Sequence, residues 1–289
     1  IGKDGSGPGE FRDWGLLMIA HDTLVEHDPR QSRTSLFTTD GQFIRVWPTL
    51  CCHSRPVTGD DNGVISIPGS IKVDTTAGRK SLFAGAGFIR FRLDSTVVDT
   101  VLFPIEPARK LWQFHDKQNN SSWSIPFTAG TSSHLDRAGR FIWGNQEDYR
   151  FVISKNGLDT VRIFESTAPS AAAIPDSLRK EEFDSYTKNN PNLRGIAKME
   201  DIPTAYPSWT NFVIDGDNNI WVLLPGSKGP GTSWDVFASD GTLRGRVPAP
   251  FPEPYRTFWT RDRVYSIEDD DASGTMAIKV YRIDKGEKR

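Results

Sequence analysis

Five histidines, two adjacent cysteines and several runs of carboxylates are the residues of this chain with the chemistry to hold a metal or move a proton. His21, His27, His53, His115 and His134 show neither HxH nor HExxH spacing, so a zinc site would have to be assembled in space. His21 and His134 fall at comparable places in a repeated unit, and they are the two histidines expected to face a ligand. Asp215-Gly216-Asp217-Asn218-Asn219 opens like a calcium loop, with oxygen donors at alternate positions. It lacks glycine at the sixth position, and Gly226 stands where the bidentate glutamate belongs, so a hairpin turn is the better reading. Glu268-Asp269-Asp270-Asp271 and Gly59-Asp60-Asp61-Asn62-Gly63 read as solvated loop tips. Gly5-Ser6-Gly7-Pro8-Gly9 has the composition of a phosphate cradle, but no helix opens after it, so it reads as a junction. No G-x-S-x-G elbow supports Ser-His-Asp catalysis. Cys51 and Cys52 could close a vicinal disulfide or remain thiols. A bond between neighbours removes little loop entropy, and CxxC spacing is absent.

Trp112, Trp123, Trp209 and Trp259 lie near segments that join repeated units, with Arg109, Lys110, Arg137, Arg256 and Arg261 in the same class of segment. Aromatic faces beside cations suit a carbohydrate, a peptide or an acidic small molecule. The same aromatics would equally fill gaps between packed sheets. The expected ligand-binding set is His21, Trp112, His134, Arg137, Trp209, Arg256 and Trp259. No metal or cofactor is expected, with calcium or zinc the ions to test.

These residues must be positioned by strands. Short apolar runs follow tight polar turns at Thr23-Leu24-Val25, Gly63-Val64-Ile65, Arg140-Phe141-Ile142, Asn219-Ile220-Trp221 and Arg263-Val264-Tyr265. A second set precedes glycine turns: Ser35-Leu36-Phe37 before Asp40-Gly41, Ser81-Leu82-Phe83 before Gly85, Phe151-Val152-Ile153 before Asn156-Gly157, and Asp235-Val236-Phe237 before Asp240-Gly241. A unit of this kind cannot bury its apolar face alone and must stack on its neighbours. The steps are about 40, twice about 77, and about 42 residues, and the short ones match a propeller blade. The long ones carry inserts at 110–133 and 168–207. In the second, Pro175 to Phe183 reads as a short helix with Asp176 or Ser177 as its N-cap. Thr23 to Glu26 reads as an inner strand, and Asp40-Gly41 as a hairpin turn.

The 289 residues, 37% hydrophobic with 17 Phe and 9 Trp, suffice for an aromatic core in one all-β domain spanning 1–289. A net charge of −2 argues against nucleic acid as a partner. No apolar run reaches the length of a membrane span. Beginning at Ile1 rather than Met, the chain is expected to be a processed or incomplete product.

The opening Ile1-Gly2-Lys3-Asp4-Gly5-Ser6-Gly7-Pro8-Gly9-Glu10-Phe11 resembles the G-x-G-P-G-E-F blade junction of NHL-type propellers, especially a bacterial six-bladed group. Phe212 to Val222 is similar to that group's D-x-x-G-N-I-W-V segment, with Asn218 where glycine is usual. The resemblance implies a six-bladed β-propeller of four-stranded blades, about five of them in this chain. It also implies an extracellular or periplasmic protein, with lipid anchoring through an upstream segment as one form. The last unit would need an outer strand from elsewhere. Three functions follow as expectations. The first is a binding or assembly module for a protein, peptide or carbohydrate. The second, by fold analogy with propeller lactonases and lyases, is a metal-dependent enzyme. The third is a subunit of an oligomer or filament completed by strand addition.

Overall fold

The computed structural model describes residues 3–13, 16–48, 58–71, 86–104, 109–115, 120–167, 172–226, 232–249, 257–270 and 274–284. Cys51, Cys52, His53, Ser81 to Gly85, Arg256 and Asp271 lie outside them. The chain is built from small antiparallel sheets and has the fold class of a β-propeller, with a single α-helix among the described residues. Four sheets have four strands, each in sequence order. They are β1 (Leu16–Ala20) to β4 (Phe43–Pro48) through β2 (Thr23–Asp28) and β3 (Arg33–Thr38); β5 (Thr58–Gly59) to β8 (Val97–Leu102) through β6 (Val64–Ser70) and β7 (Ala86–Arg92); β11 (Thr131–Leu135) to β14 (Thr160–Glu165) through β12 (Phe141–Asn145) and β13 (Arg150–Ser154); and β15 (Asn211–Ile214) to β18 (Leu243–Ala249) through β16 (Ile220–Leu223) and β17 (Thr232–Phe237). A fifth sheet has three described strands, β19 (Thr257–Trp259), β20 (Arg263–Asp270) and β21 (Thr275–Arg282). Among the described residues β9 (Leu111–His115) and β10 (Asn120–Ser124) pair only with each other.

The five apolar openings each begin the second strand of a sheet, so Thr23 to Glu26 follows β1 rather than leading the unit. Of the second set, Ser81-Leu82-Phe83 lies outside the described residues, and Ser35-Leu36-Phe37, Phe151-Val152-Ile153 and Asp235-Val236-Phe237 fall on third strands. There the sequence repeats at the level of geometry. Register slips by one residue at Leu36/Phe37, Arg90/Phe91 and Val236/Phe237, a bulge just ahead of a buried phenylalanine in three sheets. Such a bulge bends the outer strand and adds twist. The turn that follows takes one residue into the left-handed region: Gly41, Ser95, Gly157 and Gly241. Glycine does this freely, whereas Ser95 does it at a cost.

Contacts divide the chain into two compact units: residues 1–105, 135–142 and 153–161, and residues 106–134, 143–152 and 162–289. In the first, Met18, Ala20, Val25, Leu36, Ile65, Ile67 and Phe91 form a core between the β1–β4 and β5–β8 sheets. The 3–11 segment docks on β3, where Arg33 donates to the carbonyls of Ser6, Gly7 and Glu10. Glu10 accepts the amide of Gly7 at 2.7 Å. A loop that turns its carbonyls onto an arginine is a junction and no anion cradle.

In the second unit, Trp221, Leu223, Trp234, Val236, Trp259 and Val264 join the β15–β18 sheet to the β19–β21 sheet. Glu268, Asp269 and Asp270 lie within β20 rather than at a loop tip; Glu268 accepts from Lys279 at 2.8 Å and from the Tyr281 hydroxyl at 2.7 Å. The helix α1 runs Asp176–Asn189, longer than its sequence signal. Pro175 occupies the cap, and Asp176 pairs instead with Arg179 at 2.8 Å. No helix among the described residues is long and apolar enough to cross a membrane.

Candidate functional site

The two long connections that flank the β11–β14 sheet fold onto one another. The β9–β10 hairpin comes from the first; α1 and two short 3-10 turns, Pro191–Leu193 and Met199–Asp201, come from the second. Trp112, Ile125, Leu193 and Ile202 are buried at the centre of this lobe, with Trp123, Phe183 and Tyr186 around them. Trp112 meets Phe183 and Tyr186 edge to face, with ring centroids about 6 Å apart. Its Nε1 donates to Asp201 at 2.9 Å, and Lys110 donates to the same carboxylate at 2.5 Å. Those two donors hold the Asp201 carboxyl below its ordinary range, against the opposing push of burial. Trp123 donates to Asn190 at 3.2 Å, tying the hairpin to the end of α1. Trp112, one of the residues expected to face a ligand, and Trp123 therefore hold the lobe together.

Gln146, in the turn between β12 and β13, fastens both connections, a role no sequence signal announced. Its side-chain oxygen accepts from Gly130 at 2.8 Å and its amide nitrogen donates to the Thr210 carbonyl. Its backbone bonds to Gly130 and Ser208. Beside it, Ile125-Pro126-Phe127-Thr128 closes on an Ile125 carbonyl, with Phe127 at φ 61. A bulky residue rarely adopts that backbone. Phe127 holds it while packed edge to face on Tyr206 at 5.5 Å.

His21 and Arg137 belong to a different feature of the first unit. The turn after the first strand of a sheet is built around one aspartate. Asp60 Oδ1 accepts the amides of Asn62 and Val64, both at 2.9 Å. Asp136 Oδ1 accepts those of Ala138 and Arg140 at 3.0 and 2.8 Å. Asp215 Oδ1 does the same for Asp217 and Asn219, both at 2.9 Å, in the second unit. The fourth residue of each, Gly63, Gly139 or Asn218, has positive φ. One carboxylate thus satisfies two amides beside the turn's own backbone bond, from the fourth residue to the aspartate carbonyl. The Asp215 loop is such a turn; its second oxygen takes Asn219 and the Trp221 indole rather than facing a cation.

Neighbouring turns then pin to each other. His21 donates its amide to the Asp60 carbonyl, and its ring Nδ1 lies 2.9 Å from the carbonyl of Asp61. Arg137 bonds the Asp61 carboxylate through Nε at 2.8 Å and Nη2 at 2.5 Å. In the second unit Arg261 stands 3.7 Å from Asp217 in the matching relation. Arg137 and Arg261 are turn clasps, the first half-exposed and the second exposed, and of small individual worth.

His134 lies on β11, half-buried, its ring 4.6 Å from Phe212 and hydrogen-bonded to that residue's backbone. Burial holds it down to about 4. Proton-detected NMR is therefore expected to show its imidazole neutral at pH 7, titrating near 4. The sign follows from linkage: above pH 6.5 the group contributes nothing, and stability falls from there as the unfolded chain takes up a proton that the folded chain refuses. A midpoint near 6.5 would place His134 in open water.

Trp209 is fully buried in the second unit, donating to the Asp148 carbonyl at 3.0 Å amid Phe151, Phe212, Phe164 and Phe237. Trp259 donates to Thr257 at 2.8 Å and packs on Trp221 and Trp234. Arg109 is exposed beside Gly130. The described candidate residues divide between lobe, turn clasps and inter-sheet core. Among the described residues no group of three His, Cys, Asp or Glu side chains could hold a metal ion.

No protein-family model and no curated protein matches the chain. Similar solved structures include a "putative exported protein" of Bacteroides fragilis at 13% identity, TM-score 0.45, covering 93% of this chain and 70% of that one. A DUF4221 member from Bacteroides vulgatus is 14% identical, TM-score 0.47, over 96% of this chain and 81% of that one. Virginiamycin B lyase of Staphylococcus aureus is 8% identical, TM-score 0.36, over 93% and 84%. Likenesses of this order carry no chemistry across to this chain, whose fold class rests on its own sheets.

Proposed function

We propose that this chain is an exported β-propeller binding module, and that the lobe is the part that meets its ligand. The observation that supports this is the lobe's own core. Trp112, Ile125, Leu193 and Ile202 are spent on shaping two connections that a plain blade-to-blade link would not need. Its outer surface carries Glu181, Lys188, Arg194, Lys198 and Glu200, all exposed, a mixed polar face suited to a peptide or a carbohydrate. Export accords with the resemblance of the opening glycine-rich junction to those of exported propellers.

Peptide and glycan arrays probed with the native chain and with the double variant R194E/K198E test it. Binding that the native chain shows and the folded variant loses is the expected result. Arrays blank for both proteins, or bound equally by both, overturn it. A second reading, completion by strand addition, is favoured by the three-stranded fifth sheet.

A further inference from the structure

Gln146 gathers three side chains at the inner edge of the lobe. Its side-chain oxygen takes the Gly130 amide at 2.8 Å, and its carbonyl takes the Ser208 amide at 2.9 Å. The guanidinium of Arg109 lies over Gly130: a Cβ built there would stand 2.8 Å from Arg109 Nη1 and 3.9 Å from its Cζ. Phe127 comes three residues ahead of Gly130 and Tyr206 two ahead of Ser208, and their rings meet edge to face at 5.5 Å. Both rings are half-buried, and Arg109 is exposed. Three residues of chain span at most about 11 Å, so one small ligand can touch the guanidinium and the rings together. β11 leads away from Gly130 as Thr131-Ser132-Ser133, three half-buried hydroxyls in a row.

The backbone here is arranged at a cost. Phe127 keeps its φ of 61 because the turn is tied by two bonds to the Ile125 carbonyl, from the Thr128 amide at 3.3 Å and the Thr128 hydroxyl at 2.7 Å. Strain of this kind gathers at ligand clamps, where the surroundings fix a side chain in advance. Gly130 carries no such strain, so its missing side chain serves the space that Arg109 fills. An arginine fork held in one place matches a carboxylate, whose two oxygens accept parallel bonds. Aromatic rings take the C–H face of a sugar, and hydroxyls exchange hydrogen bonds with its own.

We infer that this edge of the lobe is a binding site for an acidic sugar, a hexuronic acid residue whose carboxylate pairs with Arg109 and whose ring lies against Phe127 and Tyr206. The site uses none of the charged residues of the lobe's outer surface. It therefore goes beyond the reading above and stands or falls separately from it.

The test titrates the full, isotope-labelled chain with D-glucuronate and D-galacturonate, and with glucose and galactose as their neutral counterparts, followed by NMR shifts. One uronate or both should bind about tenfold tighter than the matching hexose, the scale of one charge-assisted pair. Arg109→Gln is expected to abolish that preference and leave hexose binding in place. Gly130→Ala should reduce it, because the added Cβ displaces only the tip of a flexible side chain and spares the fold. Tyr206→Ala is expected to weaken acid and neutral sugar alike, by about fivefold. The double variant R194E/K198E should bind as the native chain does. Absence of binding, equal affinity for acid and neutral sugar, or a preference that survives Arg109→Gln overturns the inference. So does loss of uronate binding in R194E/K198E, which assigns the sugar to the outer surface. Should Arg109→Gln fail to fold by circular dichroism, Gly130→Ala decides, and a preference it leaves untouched overturns the inference. Failure here leaves the array comparison standing.

Discussion

Gly157→Ala is expected to destabilise the folded chain by about 3 kcal/mol, far beyond an ordinary surface substitution. Gly157 sits at φ 85, where any Cβ is strained. A Cβ there would also lie 1.9 Å from the Leu102 carbonyl oxygen and 3.0 Å from the Leu102 amide nitrogen. Those are backbone atoms and cannot swing aside. They are held in place by a bond from the Leu102 amide to the Asn156 carbonyl, 2.9 Å long. The substitution must therefore either break that bond or push β8 away from the turn. Gly226→Ala separates the two costs, since Gly226 has φ 78 and nothing within 4 Å of a built Cβ. It should lose only about 1 kcal/mol. Urea unfolding of both variants gives the difference, and equal losses would show that the Leu102 contact is of no consequence.

Trp209→Ala is expected to cost about 3–5 kcal/mol, the range for deleting a buried aromatic. The indole lies 4.9 Å from Phe151 and 5.9 Å from Phe212, centre to centre, with no solvent contact. Its removal leaves a cavity and an Asp148 carbonyl without its donor. Trp209→Phe should cost less, about 1–2 kcal/mol, because the ring stays and only the hydrogen bond goes. Urea unfolding monitored by near-ultraviolet circular dichroism reads both. A folded, equally stable Trp209→Ala protein that had lost an array ligand would instead return Trp209 to the ligand-binding set.

Much of the architecture could be read from residues because its turns are local. Asp40-Gly41, Asn156-Gly157 and Asp240-Gly241 each set a strand pair within a few positions, and backbone strain alone makes glycine informative there. The insert helix was visible in outline, but its end was not. It closes at Asn190, whose amide and side-chain nitrogen both donate to the Tyr186 carbonyl while Trp123, far away in sequence, donates to its side-chain oxygen. The lobe itself was hidden for the same reason. Nothing local says that 110–133 and 168–207 share a core, and Asp201, which binds both Lys110 and Trp112, has no signature. Trp112, Trp209 and Trp259 were legible as important and illegible as to purpose, since an aromatic suits a ligand or a core equally well. Arg137 and Arg261 carried charge at the right kind of loop, yet only coordinates reveal that each faces a carboxylate of the preceding turn. Asp60, Asp136 and Asp215 offered the missed clue: a carboxylate four or five positions ahead of the second strand in three of the sheets.

Those three aspartates have a bearing on how such a chain can change over time. Because the carboxylate and the two amides it satisfies sit within five consecutive residues, each turn carries part of its own closure with it. Whole repeats could then be copied, discarded or rewritten elsewhere with that small lock retained. Descent would erase similarity along the chain long before it erased the shape.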